Sequence, residues 1–310
     1  MKKIAVLIWL YHNDLSVEFA SLLNNTADIF DIYLCLCEDK NNEQSLSNFS
    51  DLSNVKSINF YPNIGGDIYS FINEICLINH KDYDYFIKIH SKKSRWGIKN
   101  ICNWRAMLLR SLIYNKDNII RNIKFMDKLN LGSIGCGPLI YENAESMHKN
   151  KISQFEELMN IVFTTRRFVG GNMFMGRTNL FQRYISPHKE DILKLISAEK
   201  GKISEVYSGT YCHAFERILG YIGSVQGLCS APETSIRILI PNDDIPHKKL
   251  NFVILYNRDI YCIQNPSIYG YINIESSKYI EILWKHKIPN ILQKYQTISK
   301  NTYINTKYIC

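Results

Sequence analysis

The chain has 310 residues, 46% hydrophobic and 21% charged, the balance of a soluble globular protein with room for one large domain and an extension. No apolar run approaches the roughly 20 residues of a membrane-spanning helix, and the nine cysteines form no C-x-x-C pair, so neither zinc nor a disulfide framework is indicated, which fits a reducing compartment. The net charge of +8 calls for an anionic partner; with no arginine-rich array, helix-turn-helix pattern or aromatic RNA-binding signature, nucleic acid is not expected, and anionic substrates or an anionic membrane surface remain.

Residues 3–10 (KIAVLIWL) read as a strand buried on both faces of a parallel sheet. No small-residue cleavage site follows them, so they are not taken as a targeting segment. His12, Asn13 and Asp14 stand at the carboxyl end of this strand. A helix is expected over 15–23, a strand over 30–37, a polar loop with room for a short helix over 38–53, and a strand over 55–60. Pro62-Asn63-Ile64-Gly65-Gly66-Asp67 then leads into a helix over 67–78. Residues 83–94 (YDYFIKIHSKKS) alternate as a strand and end in Lys88, His90, Ser91, Lys92 and Lys93, a concentration of donors suited to an anion.

Helices are expected over 104–114 and 117–129, a glycine-containing strand over 131–140, a helix over 144–163, and a second glycine-interrupted strand over 168–176. Residues 181–201 read as a helix interrupted at Pro187, and 208–222 as another helix. The α/β alternation argues for a Rossmann-type, mostly parallel sheet flanked by helices over residues 1–230. Residues 231–310 are expected to form a mixed C-terminal extension, with strands over 236–240 and 251–255 and a basic helix over 278–295, broken near Pro289.

Three further constellations carry chemistry. Asn63-Ile64-Gly65-Gly66-Asp67 sits at a strand-to-helix junction, where backbone N–H groups and a helix N-terminus favour an anion, although Asp67 as a simple helix cap is the plainer reading. Gly170-Gly171-Asn172 inside an apolar stretch signals either a close approach by a ligand or a bulge. In the helix over 208–222, a 3.6-residue period puts His213, Glu216, Arg217 and Gly220 on one face and Cys212, Phe215, Leu219 and Ile222 on the other. The first face offers a base and an anion-binding cation, or else a surface ion pair. Asp82-Tyr83-Asp84 has the form of a metal-binding D-x-D but stands at the wrong end of its strand.

Together, P-N-I-G-G-D-I at 62–68, Y-D-Y-F-I-K-I-H-S-K-K-S at 83–94, Trp104-Arg105, G-G-N-M-F at 170–174 and H-A-F-E-R at 213–217 resemble the rhamnan synthesis protein F family, bacterial glycosyltransferases of cell-surface polysaccharide assembly. The resemblance covers about residues 1–225, and the family tends to have Arg where this chain has Gly66. It implies a GT-A-like fold and a nucleotide-sugar donor, with His12, Asn63, Gly65, Gly66 and Asp67 facing the nucleotide. Lys88, His90, Ser91, Lys92 and Lys93 would face the diphosphate, with Arg217 binding phosphate or orienting the base. Trp104, Arg105, Gly170, Gly171, Asn172 and Met173 would line the sugar and acceptor pocket, and Glu216 or His213, unranked, would be the catalytic base.

The product would be a capsule, O-antigen (lipopolysaccharide) or rhamnan-like polysaccharide, and the acceptor a glycan or a lipid-linked glycan. The enzyme would be cytoplasmic, with a peripheral contact to the inner membrane surface through the basic C-terminal segment. No metal site is predicted, although a divalent ion is compatible with the chemistry. A nucleotidyl- or phosphotransferase using the same anion site, and a non-catalytic nucleotide- or glycan-binding protein of the same fold, are the competing expectations.

Overall fold

The computed structural model describes residues 3–24, 26, 28–93, 104–142, 147–199 and 209–232, with residues 104, 106, 107 and 138 described by backbone alone, and the backbone of six short strands between 237 and 304. The architecture is α/β. One mixed sheet of seven strands has the order β3-β2-β1-β4-β8-β5-β9, comprising β1 (Ile4–Leu10), β2 (Asp31–Cys37), β3 (Val55–Tyr61), β4 (Tyr85–His90), β5 (Ser133–Gly135), β8 (Phe174–Arg177) and β9 (Leu228–Ser230). Four of its pairings are parallel; β8 alone runs against both neighbours, β4 and β5.

Every residue of β1 and β4 is buried; β1 is an unbroken apolar run, whereas β4 buries Lys88 and His90 among its apolar residues. Helices α1 (Ser16–Asn24), α2 (Glu43–Ser50) and α3 (Asp67–Leu77) connect the first four strands. The short α2 fills the stretch that reads as polar and loop-like, so the βαβ rhythm is complete. Phe71 of α3, Phe86 of β4 and Phe174 of β8 pack together with Phe181, with ring centroids of the contacting pairs 4.9 to 6.1 Å apart. These large rings fix the spacing between α3, the centre of the sheet and α7 (Thr178–Ile185).

Helices α4 (Trp104–Ile113), α5 (Lys116–Lys128), α6 (Lys149–Leu158), α8 (Lys189–Ser197) and α9 (Tyr211–Ser224) complete the domain. Two expected strands are broken. In the stretch 131–140, β5 ends at Gly135, a 3-10 turn over Gly137–Leu139 follows, and β6 (Ile140–Glu142) leaves the main sheet. Pro138 within that turn has no N–H for a ladder. The stretch 168–176 is likewise two strands: β7 (Arg167–Val169) pairs with β6, and β8 enters the main sheet. The reversal between them uses left-handed backbone at Gly171 (φ 85°) and Asn172 (φ 55°), a conformation no continuous strand accommodates. The break at Pro187 is a 3-10 turn over Ser186–His188 between α7 and α8.

The strands beyond 236 are β10 (Arg237–Leu239), β11 (Phe252–Tyr256), β12 (Asp259–Ile263), β13 (Tyr271–Glu275), β14 (Ile280–Leu283) and β15 (Tyr303–Ile304), and they form a sheet of their own. Here the expectation of a basic helix beginning at 278 needs correction. Ile280–Leu283 is a strand, in keeping with the β-branched residues at alternate positions 280 and 282. Residues 284–295, including Trp284 and Pro289, lie outside the described residues.

Helix α9 approaches β7 with nothing but hydrogen at Gly220. A Cβ there would lie 2.3 Å from Phe168 Cα and 2.5 Å from the Arg167 carbonyl oxygen. Because those atoms are backbone, Gly220→Ala is expected to lower the stability of the protein by at least about 2 kcal/mol, read as a drop in the thermal or urea midpoint; an unchanged midpoint would mean that α9 does not sit this close.

Candidate functional site

Three of the stretches singled out in the sequence meet at one edge of the sheet. β1, β2, β3 and β4 are parallel, so their carboxyl ends share that edge. The antiparallel β8 begins there, with Phe174 opposite Lys88. Thus the Asn63–Asp67 loop, the end of β4 and the Gly170–Met173 turn are neighbours, in the region where ligands bind in open α/β sheets. Asp84 directly precedes β4 and lies at the opposite edge, so the D-x-D pattern is remote from the site.

The centre is Asp67, the first residue of α3. One carboxylate oxygen accepts from Lys88 Nζ and, at 2.6 Å, from Asn172 Nδ2. The other lies 3.1 Å from His90 Nδ1. Lys88 is 1% exposed, and it also donates to the Asn172 carbonyl at 2.9 Å. His90 Nε2 faces the Gly171 carbonyl at 2.9 Å; a carbonyl can only accept, so this nitrogen carries a proton. Burial pushes the Asp67 carboxyl up, but the adjacent His90 and Lys88 charges outweigh it and hold the group well below the usual carboxylate range. Burial depresses Lys88, and the Asp67 charge opposes that shift.

Glycines make this convergence possible. Gly65 and Gly66 are left-handed (φ 65° and 61°), and a Cβ on Gly65 would fall 2.6 Å from Ile196 Cγ2 and 2.7 Å from Cys212 Sγ. The loop therefore rests on α8 and α9 and presents Asp67 to β4. Gly66 is the N-cap position of α3, and the cap reading for Asp67 is superseded: Asp67 is the first helical residue, and its side chain turns to the lysine and the histidine.

Helix α9 joins from the other side. Glu216 Oε1 accepts from Gly171 N–H at 3.1 Å, so one glycine residue links Glu216 through its N–H and His90 through its carbonyl. Arg217 donates to the His213 carbonyl at 2.7 Å and lies over the Phe168 ring, 4.7 Å from its centroid. His213 Nδ1 is 2.7 Å from Thr210 Oγ1, and the same oxygen accepts from His213 N–H at 3.2 Å as the N-cap of α9. The expected polar face is borne out for His213, Glu216 and Arg217, which are half-buried; Gly220 belongs to the packed interior.

The other predicted residues have separate positions. His12 N–H donates to Ser91 Oγ at 2.8 Å, tying the end of β1 to the loop after β4. Asn63 is half-buried in its loop, and Met173 is fully buried in the core. A Cβ on Gly170 would meet the Tyr141 ring at 2.3 Å. Lys92 is half-buried, and its charge bears on Lys88. Lys93 pairs with Asp14. Arg105 pairs with Glu18 of α1 and donates to the Lys92 carbonyl at 2.8 Å, so it supports the basic loop. The Trp104 side chain and Ser94 lie outside the described residues.

Two residues escaped the sequence reading. Thr210 was legible as a helix cap, since a Ser, Thr, Asp or Asn before an amphipathic run is the standard signal. His148 carried no such signal. It is 5% exposed, its ring centroid lies 5.8 Å from that of His213, and burial, with the charges of Arg217, His213 and Lys151, pushes it down to about 4. Among the described residues no group of three or more His, Cys, Asp or Glu side chains could hold a metal ion, and no helix is long and apolar enough to cross a membrane.

The protein is thus an α/β protein whose parallel strand ends carry a partly buried Asp67–Lys88–His90 cluster beside α9. Residues 1–227 match the model of the family described as rhamnan synthesis protein F, and the chain belongs to that family. No curated protein matches it. Among solved structures, S. aureus TarS 1-349 aligns at 10% identity and a TM-score of 0.40, covering 75% of this chain and 58% of that one. Mouse xyloside xylosyltransferase 1 aligns at 10% identity and a TM-score of 0.32, covering 74% of this chain and 84% of that one.

Two outcomes follow from the charges. Asp67→Asn leaves Lys88 buried without its counter-ion and is expected to cost about 3–5 kcal/mol at neutral pH. The folded group is the stronger acid, so its contribution is present above the ordinary value of 3.8 and lost as pH falls below it; the difference between wild type and variant in urea melts narrows there. Burial and the neighbouring cations push His148 in the folded protein from its ordinary 6.5 down to about 4. Between those values the unfolded chain binds the extra proton, so stability falls as pH drops through that window. His148→Gln is expected to flatten this slope in a series of urea midpoints.

Proposed function

We propose that the protein is a glycosyltransferase that moves a sugar from a nucleotide donor to a hydroxyl of a growing cell-surface polysaccharide, on a GT-A-like domain. The observation that carries this reading is the shared anchoring of the two halves of the site. The Gly170–Asn172 turn is held from below by Lys88 and His90 and from the side by Glu216. Family membership supports the polysaccharide context.

The chemistry then divides among the residues. The acceptor hydroxyl attacks the sugar carbon while a base on α9, Glu216 or His213, removes its proton. The bond from that carbon to the diphosphate breaks, and the negative charge that develops on the diphosphate is met by Lys92 and by the buried cations behind it. Lys88 does not contact the diphosphate: its ammonium is committed to Asp67 and the Asn172 carbonyl, so it acts through the field and by holding the turn. The acceptor is a glycan or a lipid-linked glycan, reached from the cytoplasmic side.

A thermal-shift panel of nucleoside diphosphates tests the reading. One of UDP, GDP, dTDP or CDP is expected to stabilise the protein in EDTA, and Lys92→Ala is expected to weaken that nucleotide by about tenfold, the usual worth of one charged hydrogen bond. Nucleotidyl transfer without sugar transfer would favour the phosphotransfer alternative. Absence of any shift across the panel would leave a protein that binds no such donor.

A further inference from the structure

Glu216 and His213 stand one helical turn apart, and the geometry around Thr210 separates their roles. Thr210 is 2% exposed and caps α9. Its hydroxyl has one proton and two lone pairs. One lone pair accepts from the His213 backbone N–H at 3.2 Å, and the oxygen sits 2.7 Å from His213 Nδ1. If Nδ1 were protonated, both lone pairs would be filled from His213, and the hydroxyl proton would need another acceptor in a buried position. Among the described residues it has none. The hydroxyl therefore donates to Nδ1, and the imidazole proton resides on Nε2.

We infer that Thr210 fixes His213 in the Nε2–H form, so that His213 serves the bound sugar nucleotide as a hydrogen-bond donor and Glu216 is the base. The catalytic half of this assignment rests on the function proposed above; the tautomer does not. Nε2 has no partner among the described residues, so its N–H is available to substrate. Glu216 is suited to the complementary task. One carboxylate oxygen is steadied by Gly171 N–H, and the other has no hydrogen-bond partner among the described residues. In the transfer step the acceptor hydroxyl proton passes to Glu216 as the hydroxyl oxygen bonds to the sugar carbon. The electron pair of the broken carbon–oxygen bond leaves on the diphosphate, and an oxygen of that diphosphate accepts the Nε2–H hydrogen bond without taking the proton. Thr210 is thus a positioning residue, acting through His213.

The test is nitrogen-resolved NMR of the histidine side chains in the full chain, at mildly alkaline pH where a free imidazole is neutral. His213→Gln removes one of the eight histidine signals and so identifies it. The wild type is expected to show a proton on Nε2 and a bare Nδ1; a proton on Nδ1, or averaging between the two nitrogens, overturns the proposal. Thr210→Ser is expected to preserve the pattern. Thr210→Asp still caps the helix but can only accept, so it is expected to move the proton to Nδ1; an unmoved proton shows that Thr210 does not set it. The wild-type spectrum decides the tautomer even if the aspartate variant does not fold. With a sugar nucleotide that the protein uses, Glu216→Gln is expected to lower kcat at least about 100-fold, and His213→Gln, which keeps a side-chain N–H, about tenfold. The reverse order overturns the division of roles. If no sugar is transferred from any donor, the proposed function and the catalytic half fall together while the tautomer stands or falls on the spectrum, so the two failures are distinguishable.

Discussion

A single carboxylate, that of Asp67, holds the site together. Lys88 and His90 from the end of β4 and Asn172 from the turn before β8 converge on it. A buried lysine is tolerated only with a counter-charge in contact, and a buried carboxylate only with donors. Each group therefore makes the others possible, and the three segments that carry them cannot separate without stranding a charge. The hydrophobic core brings these elements near one another; the ion cluster specifies how their ends are placed.

The same cluster changes the meaning of the basic strand end. A row of lysines and a histidine suggests a floor of free cations. In the folded protein the row is graded by depth. Lys88 and His90 are turned inward and used for holding, Lys92 sits half-buried beyond them, and Lys93 is drawn away to Asp14. Alternation along a strand accounts for the inward pair, since residues 88 and 90 share one face. The inner pair holds the Gly171–Asn172 turn through its two carbonyls.

That turn is the second constraint. Gly171 and Asn172 adopt left-handed backbone, and Asn172 is a residue type that does so at modest cost when its side chain is bonded locally. Here the amide reaches Asp67, and the carbonyl takes Lys88. The residue that reverses the chain is thus also the one that reads the ion cluster. With Gly171 connected to both His90 and Glu216, the turn couples the end of β4 to α9. Unusual backbone held by several independent contacts is a recurring property of functional edges.

Much of this was legible in the residues. The apolar run of β1, the alternation of β4, the periodicity of α9 and the glycines at 65, 66, 170 and 171 each announce a local structure, because side-chain period and left-handed backbone are properties of a few consecutive residues. The family blocks also lie in the sequence, and the family model matches residues 1–227, just past the end of α9. What local pattern does not contain is the partner of a charge. That Lys88 belongs to Asp67, that Arg105 belongs to Glu18 and the Lys92 carbonyl, and that His148 stands against His213 depend on contacts between residues tens of positions apart. The reversal at Gly171–Asn172, which turned one expected strand into two, is of the same kind: glycines permit it, but only the neighbouring strands and the ion cluster require it. Sequence alone determined where most elements lie and which reactive groups exist; the tertiary structure decided which of those groups pair with one another, because electrostatic pairing is set by distance in space.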